Sequence, residues 1–270
     1  MTKLFSVLSW NVKHFKLQKK DVEVILNQIK KFDPDVMAIY EVTGKDVYSY
    51  MMKYFPEHSF FITEGPQSQE ILVGTRNTLH AFTTQRTEFK RSNTYLRPGT
   101  LTSFQISGVE YTMLFLHTKS MTAPVGFGIR DDQFKNAFNL KKKLDSKAGG
   151  RDKSNFIIVG DLNTMGMVYP FKKSIQFDVE LQKMAKNADS RGMRFLKKDY
   201  DFTWTNGNTM LGNLDHVIAS NQIKFNKFSS DFEVIVSGWK ELLSKENKKQ
   251  FRYFVTKVSD HNSLYFEIQD

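Results

Sequence analysis

Phe156-Ile157-Ile158-Val159-Gly160-Asp161-Leu162-Asn163 runs four apolar residues into a glycine, then an acid and an amide. An apolar run this short and this rich in β-branched residues predicts a buried strand. Asp161 and Asn163 then stand at its end. The same arrangement recurs along the chain: Asn11 follows Val7-Leu8-Ser9-Trp10, Glu41 follows Val36-Met37-Ala38-Ile39-Tyr40, and His117 follows Met113-Leu114-Phe115-Leu116. Asp215-His216 precedes Val217-Ile218, and Asp260-His261 comes shortly before Leu264-Tyr265-Phe266. Strand ends are rigid, and the loops beyond them can converge on one rim.

Working outward, residues 4–10 and 35–40 read as strands. Val22, Ile25, Leu26 and Ile29 form one face of a helix that stops before Asp33-Pro34, because the residue before a proline resists helical geometry. Val47, Tyr50, Met51 and Tyr54 mark a second helix. The middle is strand-rich, with runs at 71–75, 101–106 and 111–117 separated by turn signals at Gly99 and Ser107-Gly108. A helix at 130–144 follows, then a less regular stretch over 165–210. Strands are expected at 216–219, 232–236 and 264–268, with a helix near 239–249. No repeat and no long Gly/Ser/Pro linker interrupts the chain, so residues 1–270 are expected to form a single α/β domain.

The 270 residues carry 39 Lys+Arg against 29 Asp+Glu, a formal charge of +10. With a pI near 9.5 the charge favours a polyanionic partner: nucleic acid, an anionic membrane surface or a phosphorylated metabolite. The absence of cysteine excludes disulfides, thiolate nucleophiles and Cys-ligated zinc or iron–sulfur clusters. No stretch reaches the ~18 apolar residues of a transmembrane helix, and the apolar start lacks the form of a signal peptide. A cytoplasmic protein is expected, or a secreted one if a leader has been removed. Lys141 to Lys153 is the densest basic stretch, and it reads as a solvated helix end and loop.

Carboxylates and amide oxygens are hard ligands suited to Mg²⁺, Mn²⁺ or Ca²⁺, and histidines exchange protons near neutral pH. The series Ser9-Trp10-Asn11, Tyr40-Glu41-Val42, His117-Thr118-Lys119-Ser120, Gly160-Asp161-Leu162-Asn163, Leu214-Asp215-His216 and Ser259-Asp260-His261-Asn262 resembles the endonuclease/exonuclease/phosphatase (DNase I-like) superfamily. The motifs come in the family's order from residue 9 to 262. The resemblance implies a four-layer α/β sandwich, two mixed β-sheets packed face to face with flanking helices. It implies Glu41 as principal metal ligand, with Asn11 and Asp260 close to the metal. Asp161 would orient or deprotonate water or bind a second metal, Asn163 would hold a phosphate oxygen, and His261 would contact the phosphate and be the foremost catalytic histidine. His117 would be the second catalytic histidine, Asp215 the carboxylate orienting a histidine, Glu70 the support of His117, and Arg97 a guanidinium near the phosphate. His14, His58 and His80 match no motif and read as surface or packing residues, and Trp204, Trp239 and Tyr169 as core.

The superfamily acts on many phosphoesters. The basic charge, the His117-Thr118-Lys119-Ser120 pattern with Arg130 and Gln133 downstream, and the full set of two histidines with Glu70 point to a Mg²⁺- or Mn²⁺-dependent DNA endonuclease, with DNA as partner. A phosphatase or sphingomyelinase-like enzyme acting on a small or lipid phosphoester is the alternative. A non-catalytic nucleic-acid-binding protein is a second one.

Overall fold

The computed structural model describes residues 2–66, 69–91, 93–171, 173–208, 210–229 and 231–270. The apolar runs become strands, in chain order β1 (Lys3–Phe15), β2 (Val36–Val42), β3 (His58–Ile62), β4 (Glu70–Arg76), β5 (Phe82–Arg86), β6 (Gly99–Ile106), β7 (Val109–His117), β8 (Asn155–Asp161) and β9 (Met193–Phe195). Then follow β10 (Trp204–Thr205), β11 (Leu211–Gly212), β12 (Asp215–Ser220), β13 (Lys224–Phe225), β14 (Ile235–Ser237) and β15 (Ser263–Gln269). The helices are α1 (Val22–Phe32), α2 (Lys45–Tyr54), α3 (Pro124–Lys147), α4 (Phe177–Asp189) and α5 (Lys248–Lys257).

These elements fall into two compact units. One comprises Met1–His80, Lys197–Gly212 and Phe225–Asp270, the other Ala81–Leu196 and Asn213–Lys224. The first holds a sheet in the order β13-β15-β1-β2-β4-β3, with β14 also on β15. Its central pair β1/β2 is parallel, with Val7 opposite Val36 and Asn11 opposite Tyr40, and α1 makes the crossover. The second holds the sheet β5-β6-β7-β8-β12-β9. Here β7/β8 is the parallel pair, with His117 opposite Asp161, and α3 makes the crossover.

Local chemistry explains the boundaries. Asp21 caps α1 by accepting from the Val24 N–H at 3.2 Å, Lys30 and Lys31 lie in its last turn, and Asp33 closes it in the left-handed region before Pro34. In the first unit Leu8, Trp10, Met37, Ile39 and Leu72 pack against Ile25, Ile29, Val47, Met51 and Phe254. In the second, Leu114, Leu116, Phe156 and Ile158 pack against Phe134, Ala137, Phe138 and Met184. Fully burying a Leu, Ile or Phe stabilises by about 1.5–3 kcal/mol, so each layer of helix on sheet is held chiefly by these contacts.

The structure differs from the expected elements in several places. Residues 177–189, expected to be irregular, form α4. The edge strands β3, β5, β9 and β13 were not expected. The expected helix at 239–249 is two short 3₁₀ turns, and the α-helix proper starts at Lys248. The strand expected at 232–236 covers Ile235–Ser237.

Candidate active site

In the first unit the sheet breaks its register where Glu41 stands. Asn11 pairs with Tyr40 and Phe15 with Val42, so three residues, Val12, Lys13 and His14, bulge opposite one. On the other side Tyr40 pairs with Ile71 and Val42 with Glu70, so Glu41 is itself extra. Glu41 takes a left-handed backbone, φ 61°, as do Lys13 and His14. Such a conformation in a non-glycine residue costs about 1–3 kcal/mol and persists only where the surroundings hold it. Here they do. Asn11 Nδ2 donates to Glu41 Oε1 at 3.2 Å, while the His14 backbone N–H (3.0 Å) and Gln69 Nε2 (3.1 Å) donate to Oε2. His14 Nδ1 lies 3.3 Å from the same oxygen.

Asp260 and His261 enter the unit just ahead of β15, and the chain's three tryptophans hold them there. Trp239 Nε1 donates to the Asp260 carbonyl at 2.9 Å, Trp10 Nε1 to the His261 carbonyl at 3.0 Å, and Trp204 Nε1 to Asp260 Oδ2 at 3.2 Å. Ser259 Oγ donates to the Asn11 carbonyl (2.6 Å) and accepts the His261 N–H (2.9 Å), tying the motif to the end of β1. Asn262 donates to Phe202 O and accepts from the Lys240 N–H, so the last motif residue is a structural tie. Lys13 Nζ sits 2.9 Å from Asp260 Oδ2. Asp260 Oδ1 is buried and has no hydrogen-bond partner among the described residues. A buried carboxylate oxygen without a donor is costly unless a cation meets it.

Burial pushes the Lys20 ammonium down to about 8, against the pull of Asp260 and Glu41 and with repulsion from Lys13 and Lys257. Its Nζ donates to the Val258 carbonyl at 3.0 Å.

In the second unit the backbone does the holding. Gly160 has φ 146°, a conformation that favours glycine, and Asn163 has φ 47°, which asparagine tolerates. The turn lets Asp161 Oδ1 accept the Asn163 N–H at 3.1 Å. Asn163 Nδ2 donates to the Thr118 carbonyl at 3.1 Å, and Thr118 N–H donates to the Asp161 carbonyl at 3.0 Å. His117 Nε2 lies 3.4 Å from Asp161 Oδ2. Asp215 pairs across the antiparallel strand with Asp161, and the two buried carboxylates offer oxygens within 4.8 Å of each other. Two carboxylates this close in a dry site suit a cation between them. His216 Nε2 is 2.8 Å from Thr164 Oγ1 and 3.0 Å from the Asn213 carbonyl, with its ring edge-on to Phe195.

The expected residues thus collect as Asn11 with Glu41, and Asp260 with His261, in one unit, and as His117, Asp161, Asn163 and Asp215 in the other. Glu70 accepts from Thr63 Oγ1, and Arg97 is half-buried ahead of β6. His58 packs as expected, its Nε2 2.8 Å from the Pro34 carbonyl. Sequence reasoning missed His14, Lys13, Gln69 and the donor role of Trp204 and Trp239. The only sequence signal for the first two is their place just past Asn11, and it appears only once the bulge is known. The oxygen-rich donors fit a hard divalent cation, with Asn11, Glu41 and Asp260 able to hold it.

No family model matches the sequence, and neither does any curated protein. Solved structures do. TDP2 of D. rerio complexed with a single strand DNA product superposes with a TM-score of 0.67 at 14% identity, covering 98% of this chain and 99% of that one. An endonuclease/exonuclease/phosphatase from Beutenbergia cavernae DSM 12333 gives 0.65 at 13% identity, with 99% and 72% covered. The mannosyl-6-phosphatase Bt3783 of Bacteroides thetaiotaomicron VPI-5482 gives 0.59 at 14% identity, with 98% and 100% covered. A likeness at such identity, running over nearly the whole chain, is one of fold: this chain has the α/β-sandwich fold of the endonuclease/exonuclease/phosphatase superfamily.

Proposed function

We infer that this chain is a divalent-metal-dependent phosphoesterase, a hydrolase that cleaves phosphodiesters of DNA. The observation that carries the reading is Asp260. One of its oxygens is held by Trp204 and Lys13, and the other is buried with no donor among the described residues. That is how a carboxylate poised for a cation is built. In this reading Glu41, Asn11 and Asp260 hold Mg²⁺ or Mn²⁺. The ion, when bound, would neutralise charge on the phosphoryl oxygens and acidify water.

The chain's own groups do the rest. Asp161, fixed by the Asn163 N–H and facing His117, orients the attacking water and takes its proton. The water oxygen bonds to phosphorus, the ester P–O bond breaks, and His117 protonates the departing oxygen. His261 and Asn163 bind the phosphate, with Arg97 as a further cation for it. Asp215 orients a histidine. The net charge of +10 suits a polynucleotide, whose phosphates release counterions on binding. The D. rerio TDP2 structure holds a single strand DNA product, which favours DNA as the partner. The mannosyl-6-phosphatase neighbour favours a second reading, a phosphatase acting on a small phosphoester.

A substrate panel with Mg²⁺, Mn²⁺ or EDTA tests this: nicked plasmid, a single-stranded oligonucleotide, a sugar phosphate and sphingomyelin. EDTA-sensitive DNA cleavage that Glu41→Gln abolishes is expected. Turnover of the sugar phosphate alone selects the second reading. DNA binding with no turnover of any phosphoester overturns both.

A further inference from the structure

The second unit displays apolar side chains where a water-soluble surface would place polar ones. Phe171 is 84% exposed, Val125 64%, Val168 58% and Met121 47%, and Tyr169, expected in the core, is exposed as well. Met121 stands on the loop that leaves the end of β7 and Val125 in the first turn of α3 that follows it, while Val168, Tyr169 and Phe171 stand on the loop after β8, past Asn163. The Val168 N–H donates to the Thr122 carbonyl at 2.7 Å, and the Tyr169 and Phe171 rings meet at 6.1 Å, so the side chains form one patch. A Cβ on Gly126 would come within 2.8 Å of the Met121 carbonyl, so only glycine lets the first loop lie this close to α3.

Beneath the patch the loops are pinned. Arg130, fully buried, donates to the carbonyls of Met121 (2.7 Å) and Gly166 (2.7 Å) and is paired to Glu180 at 2.8 Å. Glu180 in turn accepts the Gly166 N–H at 2.7 Å. A buried ion pair is a costly way to hold two loops unless their exposed tips must keep one shape.

We propose that these two loops form a preorganised platform that docks the protein on an anionic phospholipid surface. Aliphatic Val125, Val168 and Met121 gain from entering an acyl layer and offer a nucleobase nothing to stack on or bond to. The two rings lie at 79° to each other, so they cannot stack on successive bases of one strand. Lys119 and Lys173 flank the patch, and no side-chain partner holds either among the described residues. They suit a negatively charged leaflet. A second copy would set them against their own counterparts across a two-fold contact.

The proposal stands apart from the phosphoesterase reading, since docking needs no turnover. The test is sedimentation of the full chain with vesicles of phosphatidylcholine alone or with about one third phosphatidylserine. The wild type should partition onto the anionic vesicles. Phe171→Ser should weaken that partition about tenfold or more, with an unchanged circular dichroism spectrum. Val125→Ser, in the first turn of α3, should act in the same direction. Wild-type protein that stays in solution with both vesicles overturns the proposal, as does a Phe171→Ser chain that binds like the wild type. Loss of oligonucleotide affinity or of a dimer in Phe171→Ser, without vesicle binding by the wild type, overturns it in favour of bases or a second copy.

Discussion

The two units share one plan and use it differently. Each has a parallel pair crossed by a helix, β1-α1-β2 and β7-α3-β8, with polar residues where the pair ends. Each adds an antiparallel neighbour entered through an Asp-His dipeptide, Asp260-His261 before β15 and Asp215-His216 on β12. In the second unit the register stays intact and His117, Asp161, Asn163 and Asp215 are all buried, held largely by backbone groups. In the first the register breaks, and Glu41 and Asp260 are held by side chains, among them Lys13 and His14, that reach into water. The difference teaches that one plan can build a rigid, dry half and a chargeable, adjustable half. In the proposed mechanism the rigid second unit would fix the proton path and the first unit would admit the cation.

That contrast predicts different failures. Asp161→Asn should cut turnover about a thousandfold at any metal concentration, because in the proposed mechanism it removes the proton acceptor. Glu41→Gln should cut it comparably at low metal and recover in part as Mn²⁺ is raised. Initial rates against Mn²⁺ concentration separate the two, and parallel curves would break the division of labour.

Next in size is stability. Arg130 and Glu180 are buried together, so Arg130→Met leaves an uncompensated carboxylate and should cost about 3–5 kcal/mol. Arg76 in the first unit pairs with Asp33 and Asp35 near solvent, and Arg76→Met should cost under about 1 kcal/mol. Urea midpoints measure both, and equal losses would show that the two units do not differ in this way. Smaller again is Trp204→Phe, which removes the indole N–H from Asp260 Oδ2. It should weaken apparent metal affinity about tenfold while leaving kcat within about twofold. Thr164→Val, the matching cut beside His216, should leave the metal midpoint in place.

The strands that carry the site were legible because an apolar run ending on an acid, amide or histidine is a local pattern. Phe156 to Asn163 announces itself within eight residues. The fold class was legible through the order of such motifs. Edge strands β3 and β5 were not, since His58-Ser59-Phe60-Phe61-Ile62 and Phe82-Thr83-Thr84-Gln85-Arg86 lack clean alternation. Helix α4 escaped because its N-cap, Gln176, makes no side-chain cap and Phe177 and Val179 are exposed, so the stripe is weak. The places of Lys13 and His14 depend on a bulge formed against β2. The three indoles converge on Asp260-His261 from residues 10, 204 and 239, and no sequence window spans them.

The smallest effect tests the chargeable half directly. Lys20 releases its proton from the folded chain near 8, whereas the unfolded chain holds it to the ordinary lysine value of 10.5. Between those values the unfolded state binds more protons, so stability must rise with pH from about 8 to 10.5. Below 8 the full penalty of burying the ammonium remains. Lys20 keeps contact with water, so screening holds the rise to on the order of 1 kcal/mol. Lys20→Met should flatten it in denaturant titrations run across that window. Asp260 and Glu41 are the charges that oppose the downward shift. A divalent ion that neutralises them should therefore push the Lys20 midpoint lower still, readable by NMR of labelled lysine. A midpoint that Mg²⁺ leaves in place would mean that the cation is not held by Asp260 and Glu41, and the assignment of the first unit as the metal-holding half would fall with it.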